Sequence, residues 1–250
     1  MRSVIVWWAV SALILTAAAS LIGRLATGNR TGILIDTRGR YSLTQFQLVL
    51  WTIVVLSLVN AVFLARAMNG IAGALDFKIP DQLLIVMGIS VAGFAGSTAI
   101  KAAKDASHPE GVAASNASDR PRIAQMFLVE EGELADKVVD VAKFQNFWIT
   151  LLLVVAYIVV VIMTIETAST VAAIALPGFS QTFLVLLGVS HAGYLAGKLP
   201  NQPGTPRGLT VALRARGAVP GAAACGQLKP QEQREQDQQD TYVPRNPAGK

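Results

Sequence analysis

Polar and apolar residues fall along this chain in long blocks, not in the short alternation of a strand or the narrow stripe of a surface helix. Five apolar runs carry no charged side chain: Val4 to Ile22, Phe46 to Leu64, Gln82 to Ile100, Phe147 to Ile165 and Phe179 to Gly197. Each reaches the roughly 17–25 residues that cross about 30 Å of hydrocarbon. The third and fifth are the weakest, because Gly and Ala stand where larger side chains would raise the hydropathy. The pattern predicts an all-α integral membrane protein with five transmembrane helices. It divides into a leading span (1–22), a cytoplasmic loop (23–45), a first helical hairpin (46–100), a second loop (101–146), a second hairpin (147–198) and a disordered tail (199–250).

Composition agrees, with 52% hydrophobic and only 15% charged residues, where a soluble domain carries about a quarter charged. Five crossings place Arg2, Arg66 and Lys78 on one side and the other 18 of 21 basic residues on the opposite side. The positive-inside bias makes that second side cytoplasmic. The net charge of +5 is thereby explained by topology, and no nucleic-acid partner is expected. The opening MRSVIVWWAVSALILTAAAS also has the outline of a secretory signal. Its removal would invert every later span against the charge bias, so an uncleaved first span is expected, with the N-terminus outside a bacterial inner membrane.

The chain writes one hairpin twice. Phe46-Gln47 aligns with Phe144-Gln145, which sets Ser42 over Asp140, both of them helix-capping residue types. Ser42 and Gln45 match a capping box, and Trp51 and Trp148 follow their Gln on the same helix face. Pro80 and Pro177 each precede a Gly-rich run that holds Gly-x-Ser, Gly88 to Ser90 and Gly188 to Ser190. Small residues recur every four positions at Gly88, Ala92 and Gly96, and again at Gly188, Ala192 and Ala196. Such stripes bring helices close in lipid. Two parallel-repeat hairpins follow, related by an axis along the membrane normal.

The stretches SLTQFQLVLWT, EEGELADKVVDVAKFQNFWIT and LLGVSHAGYLAGK resemble a broad group of uncharacterised bacterial membrane proteins. These share an S-L-x-x-x-Q-x-x-x-W entrance and a G-I-S-x-x-x-Y-L-x-x-K exit. The resemblance covers roughly residues 40 to 200 and implies the duplicated fold and a bacterial membrane, with no activity attached. In this chain the second entrance has a shorter Gln-to-Trp spacing, and Phe94 stands where the second exit has Tyr194.

Candidate chemistry is sparse. Gln47 and Gln145 read as hydrogen-bonding glue at the helix entrances, and Asn60 and His191 as packed polar side chains within spans. From about Arg122 the second loop reads as an amphipathic helix with Leu134, Val138, Val141 and Gln145 on one face. Beside that face lie Glu130, Glu131, Glu133, Asp136 and Asp140. The first four are candidates for docking a basic partner; a site for Mg²⁺ or Ca²⁺ is a weaker reading of the same carboxylates. Cys225 is alone in the tail. Walker, Gly-x-Ser-x-Gly and His-Glu-x-x-His motifs are missing, so neither enzyme nor cofactor is expected. The expected function is a membrane anchor or scaffold in the lipid bilayer, offering its loop and tail to a cytoplasmic protein partner. The alternative is a homo-oligomeric pore or small-solute channel packed through the Gly/Ala helices.

Overall fold

The computed structural model describes residues 2–107, 120–132 and 134–199. These belong to one compact unit, Met1–Leu209, and the predicted tail with Cys225 lies outside the described residues. Five long helices make the fold: α1 (Arg2–Thr27), α2 (Leu43–Met68), α3 (Asp81–Ser107), α4 (Val141–Thr167) and α5 (Gln181–Lys198). The first four are long and apolar enough to cross a membrane, while α5, with 18 residues, is the shortest. Among the described residues there are no strands, only isolated bridges at Ile35–Tyr41 and Leu128–Val139.

Local chemistry sets the helix limits. α1 stops at Gly28, whose φ of 75° suits a left-handed C-terminal residue. The chain then reverses so tightly that a Cβ on Gly23 would lie 2.9 Å from the backbone nitrogen of Gly32. Asp140 caps α4 as expected, accepting from the Ala142 and Lys143 amides at 3.0 and 3.2 Å. Ser42 occupies the corresponding position before α2 but does not cap it. Its hydroxyl meets Thr44 Oγ1 at 3.1 Å, so the predicted capping box is absent.

The antiparallel pairs α2–α3 and α4–α5 are joined through contacts between α3 and α5 and between α2 and α4, and α1 lies along α2. Trp8 donates to Ser57 Oγ at 3.0 Å and Asn60 donates to Ser11 Oγ at 2.8 Å, which fastens α1 in place. Two expectations about register are corrected. The buried face of α2 runs through Gln47, Trp51, Val54, Val55, Leu58 and Val62, and that of α4 through Asn146, Thr150, Leu153, Val154, Tyr157 and Val161. The two faces correspond at a spacing of 99 (146 minus 47), not the 98 of the Phe-Gln alignment. Gln145 and Phe144 are therefore exposed, and Trp148 is 52% exposed, while Trp51 is fully buried.

The small-residue stripes are out of phase in the same way. Gly88, Ala92, Ala192 and Ala196 are exposed, and Gly88 has nothing within 4 Å of an added Cβ. Gly188 is half-buried, with only Ile89 at an ordinary 3.9 Å. Gly93 makes the close approach between α3 and α5, since a Cβ there would lie 2.7 Å from His191 Cδ2; Gly96 follows, at 3.1 Å from Leu195. Inward positions on α3 are Leu83, Val86, Ser90, Gly93 and Ser97, and a stripe begun at Gly88 faces away from them.

Candidate functional site

At one end of the bundle the loops and the helix termini form a layer of paired charge. The predicted helix from Arg122 is not there. Ile123–Met126 is one 3-10 turn, and the chain then folds as a hairpin in which Val129 and Asp140 donate to Val138 and Phe127. Gly132 (φ 80°) and Asp136 (φ 61°) have left-handed backbone, which a continuous helix excludes. This hairpin turns Glu130 and Glu131 inward. Lys143 Nζ and Lys198 Nζ each meet the Glu130 carboxylate at 2.8 Å, with Lys101 at 3.4 Å. Glu131 binds Lys104 at 2.6 Å and Arg38 at 3.1 Å.

Around this centre the pairing continues. Arg38 reaches Asp105 at 2.6 Å, Arg40 grips Asp136 through both terminal nitrogens at 2.6 and 2.9 Å, and Lys101 binds Asp36. Lys143 also donates to the Leu128 carbonyl at 2.7 Å, and Lys198 lies 5.0 Å from the Tyr194 ring centre. Burial alone would push the Glu130 carboxyl up; Lys143, Lys198 and Lys101 overrule it and hold it well below the usual carboxylate range. Burial lowers the Arg38 value, but Asp105 and Glu131 more than compensate, so it is raised. A recess of about 40 Å³ beside Lys101, Lys104, Glu130, Glu131, Lys143 and Lys198 has room for a water or two.

The docking expectation is corrected here. Glu130 and Glu131 keep only 14% of their side-chain surface, Asp136 is committed to Arg40, and Glu133 lies outside the described residues. Among the described residues no group of three or more acidic, His or Cys side chains is arranged to hold a metal. What the loop exposes instead is apolar Ile123, Leu134, Val138 and Val139 beside basic Arg120, Arg122 and Lys137.

Inside the bundle an uncharged polar seam joins the two hairpins. Gln47 Nε2 donates to Thr150 Oγ1 at 2.7 Å and to the Asn146 carbonyl at 3.3 Å, and Ser190 donates to Asn146 Oδ1 at 3.2 Å. His191 Nδ1 meets the Leu187 carbonyl at 3.1 Å. Five buried atoms here and nearby have no protein partner: Gln47 Oε1, Trp51 Nε1, Asn146 Nδ2, Tyr157 Oη and His191 Nε2. At the other end Arg66 donates to the Ala172 and Asp76 carbonyls at 3.2 and 3.1 Å and so ties the α2–α3 and α4–α5 loops together.

The motif residues thus have assigned places. Gln47 crosses between the hairpins to α4, Ser190 ties α5 to α4 within the second hairpin, and Lys198 closes the charge layer. Sequence reasoning treated the lysines and arginines only as markers of orientation and missed them as partners for the loop carboxylates. It also missed Asn146 and Thr150, for which a one-residue shift of the alignment was the available signal. Comparison of the chain with known protein families, with curated proteins and with solved structures returns no match.

Proposed function

We propose that the chain is a membrane anchor of a bacterial inner membrane, crossing five times with the N-terminus outside, whose charge-locked cytoplasmic plate receives a protein partner. The observation that carries this reading is the plate itself. Loop carboxylates are used up in ion pairs, which anchor the loop at Glu130, Glu131 and Asp136 and leave Ile123, Leu134, Val138 and Val139 exposed. Apolar side chains on a rigid, exposed loop suit a docking surface. Two equivalent hairpins are supported by the constant spacing of 99 between the buried faces of α2 and α4, and Gln47, Ser190 and Lys198 fit the motifs of the resemblance to duplicated membrane proteins. The test is co-purification from detergent of wild type against Leu134→Glu with Val138→Glu. A cytoplasmic protein recovered with wild type and lost with the double variant is the expected result; equal recovery sinks the reading.

A second reading, passage of a small neutral solute, is favoured by the unpartnered polar atoms along the seam. Purified protein in liposomes then shows solute flux that Asn146→Leu reduces.

A further inference from the structure

The charge-free run of α1, Val4 to Ile22, measures about 28 Å at 1.5 Å per residue, close to the roughly 30 Å of hydrocarbon. Arg24 stands just past that run, at the level of the headgroup phosphates. There the chain turns straight back on itself. A Cβ on Gly23 would lie 2.9 Å from the Gly32 nitrogen and 3.0 Å from the Arg30 carbonyl oxygen, so only glycine allows the two pieces of backbone to meet. Arg24, in the last turn of the helix, and Arg30, in the reversal that follows, therefore spring from adjoining backbone.

The other polar side chains of this reversal satisfy one another. Thr27 Oγ1 donates to the Gly23 carbonyl at 2.9 Å, the Thr31 amide and hydroxyl donate to Asn29 Oδ1 at 3.2 and 3.0 Å, and Asn29 Nδ2 donates to Tyr41 Oη at 3.3 Å. The one carboxylate between Arg2 and Ser42 is Asp36, which is taken by Lys101 and by the Arg38 and Arg40 amides. Arg38 and Arg40, from the same loop, are buried against acidic partners. Arg24 and Arg30 are exposed, with neither an ion pair nor a side-chain hydrogen bond among the described residues. On the membrane side of Arg24 the helix exposes Leu21, Ile22 and Leu25. Two cations without a counter-ion, continuous with an apolar strip at the hydrocarbon edge, match a ligand that has an anionic head and an apolar tail.

We propose that Arg24 and Arg30 together hold the phosphate of one anionic phospholipid, whose acyl chains lie along Leu21, Ile22 and Leu25. Guanidinium groups suit this work, because their paired N–H donors match two phosphate oxygens at once. An anionic head is preferred to a zwitterionic one, whose ammonium the same two cations repel. The inference rests on the membrane-embedded reading above, and on neither the partner nor the solute reading.

Native mass spectrometry of the full chain in detergent tests it, with phosphatidylglycerol or phosphatidylethanolamine of matched acyl chains added. One phosphatidylglycerol is expected to stay bound under conditions that strip phosphatidylethanolamine. Arg24→Gln and Arg30→Gln are each expected to weaken that binding about tenfold, as the loss of a hydrogen bond to a charged group does. Neither side chain has an internal bond to lose, so both variants keep the wild-type unfolding temperature, measured alongside. Arg122→Gln, which removes an exposed arginine at the same end of the bundle, is expected to leave binding unchanged. Equal retention of the two lipids overturns the site, as does binding that survives both substitutions or falls as far with Arg122→Gln. An acidic polypeptide that co-purifies through Arg24 and Arg30 while no lipid is retained makes the surface a protein contact, and the lipid assignment falls. A chain that stays in solution without detergent removes the membrane reading and the site with it.

Discussion

At the end of the bundle that is inner in the proposed orientation, six basic side chains (Arg38, Arg40, Lys101, Lys104, Lys143 and Lys198) pair with five carboxylates (Asp36, Asp105, Glu130, Glu131 and Asp136). At the opposite, outer end one arginine, Arg66, holds two loops by their carbonyls, and residues 175–179 make no backbone hydrogen bond among the described residues. The difference shows how unequally one fold distributes its polar contacts. The inner layer is centred on Glu130, which three lysines hold, and on Glu131, which Lys104 and Arg38 hold, so the loss of either carboxylate leaves buried charge. At the outer end apolar packing of Ile174, Leu176 and Phe179 does most of the holding, with Arg66 as the polar tie between the loops.

That contrast can be broken by substitution. Glu130→Ala is expected to cost most, about 3–5 kcal/mol, because Lys143 is left buried without its counter-ion. Tryptophan-monitored unfolding in detergent measures the loss. The same residue gives the inner end a pH signature. Its folded value lies well below the free value of 4.5, so its stabilisation is complete above that pH and drains as pH falls through the folded value. Wild type is therefore expected to lose stability on acidification more steeply than Glu130→Ala.

Arg66→Ala comes next, at about 1.5–3 kcal/mol, the range for hydrogen bonds to a charged group. Its effect is expected to be insensitive to acid, which separates the two ends in one titration. Between them, Gly93→Val forces a side chain onto His191 and is expected to cost about 1–3 kcal/mol, whereas Gly88→Val leaves the monomer unchanged. Asn60→Ala, which frees α1 from one of its two polar ties, is expected to cost only about 0.6 kcal/mol, an ordinary value for helix contacts in lipid.

The helices were legible in the sequence because long uncharged runs admit few other structures in lipid. Asp140 as a cap and Asn60 as a helix contact were legible too, since each acts within a turn of its own helix or across one neighbouring pair. The site was much less so. Glu130 meets Lys101 and Lys198 across 29 and 68 residues (130 minus 101, 198 minus 130), and no local pattern announces such a pairing. The acidic run looked like a solvated helix because its spacing suited one, but Gly132 and Asp136 take a left-handed backbone that breaks it. The phase of the Gly stripe was lost for a different reason. Glycine and alanine make weak contributions to hydropathy whichever way they face, so only the neighbours of Gly93 reveal which side is inward.

The pairing of cations and carboxylates has a consequence for biogenesis in the proposed orientation. While the loops are nascent and unfolded, their lysines and arginines are free to be counted by the insertion machinery and to fix which side each loop occupies. Once the hairpin closes over the helix ends, the cations of the layer answer carboxylates, and attraction to anionic lipid is left to basic residues outside it, such as the exposed Arg24, Arg30 and Arg122. Part of the signal that sets topology is thereby consumed by the fold.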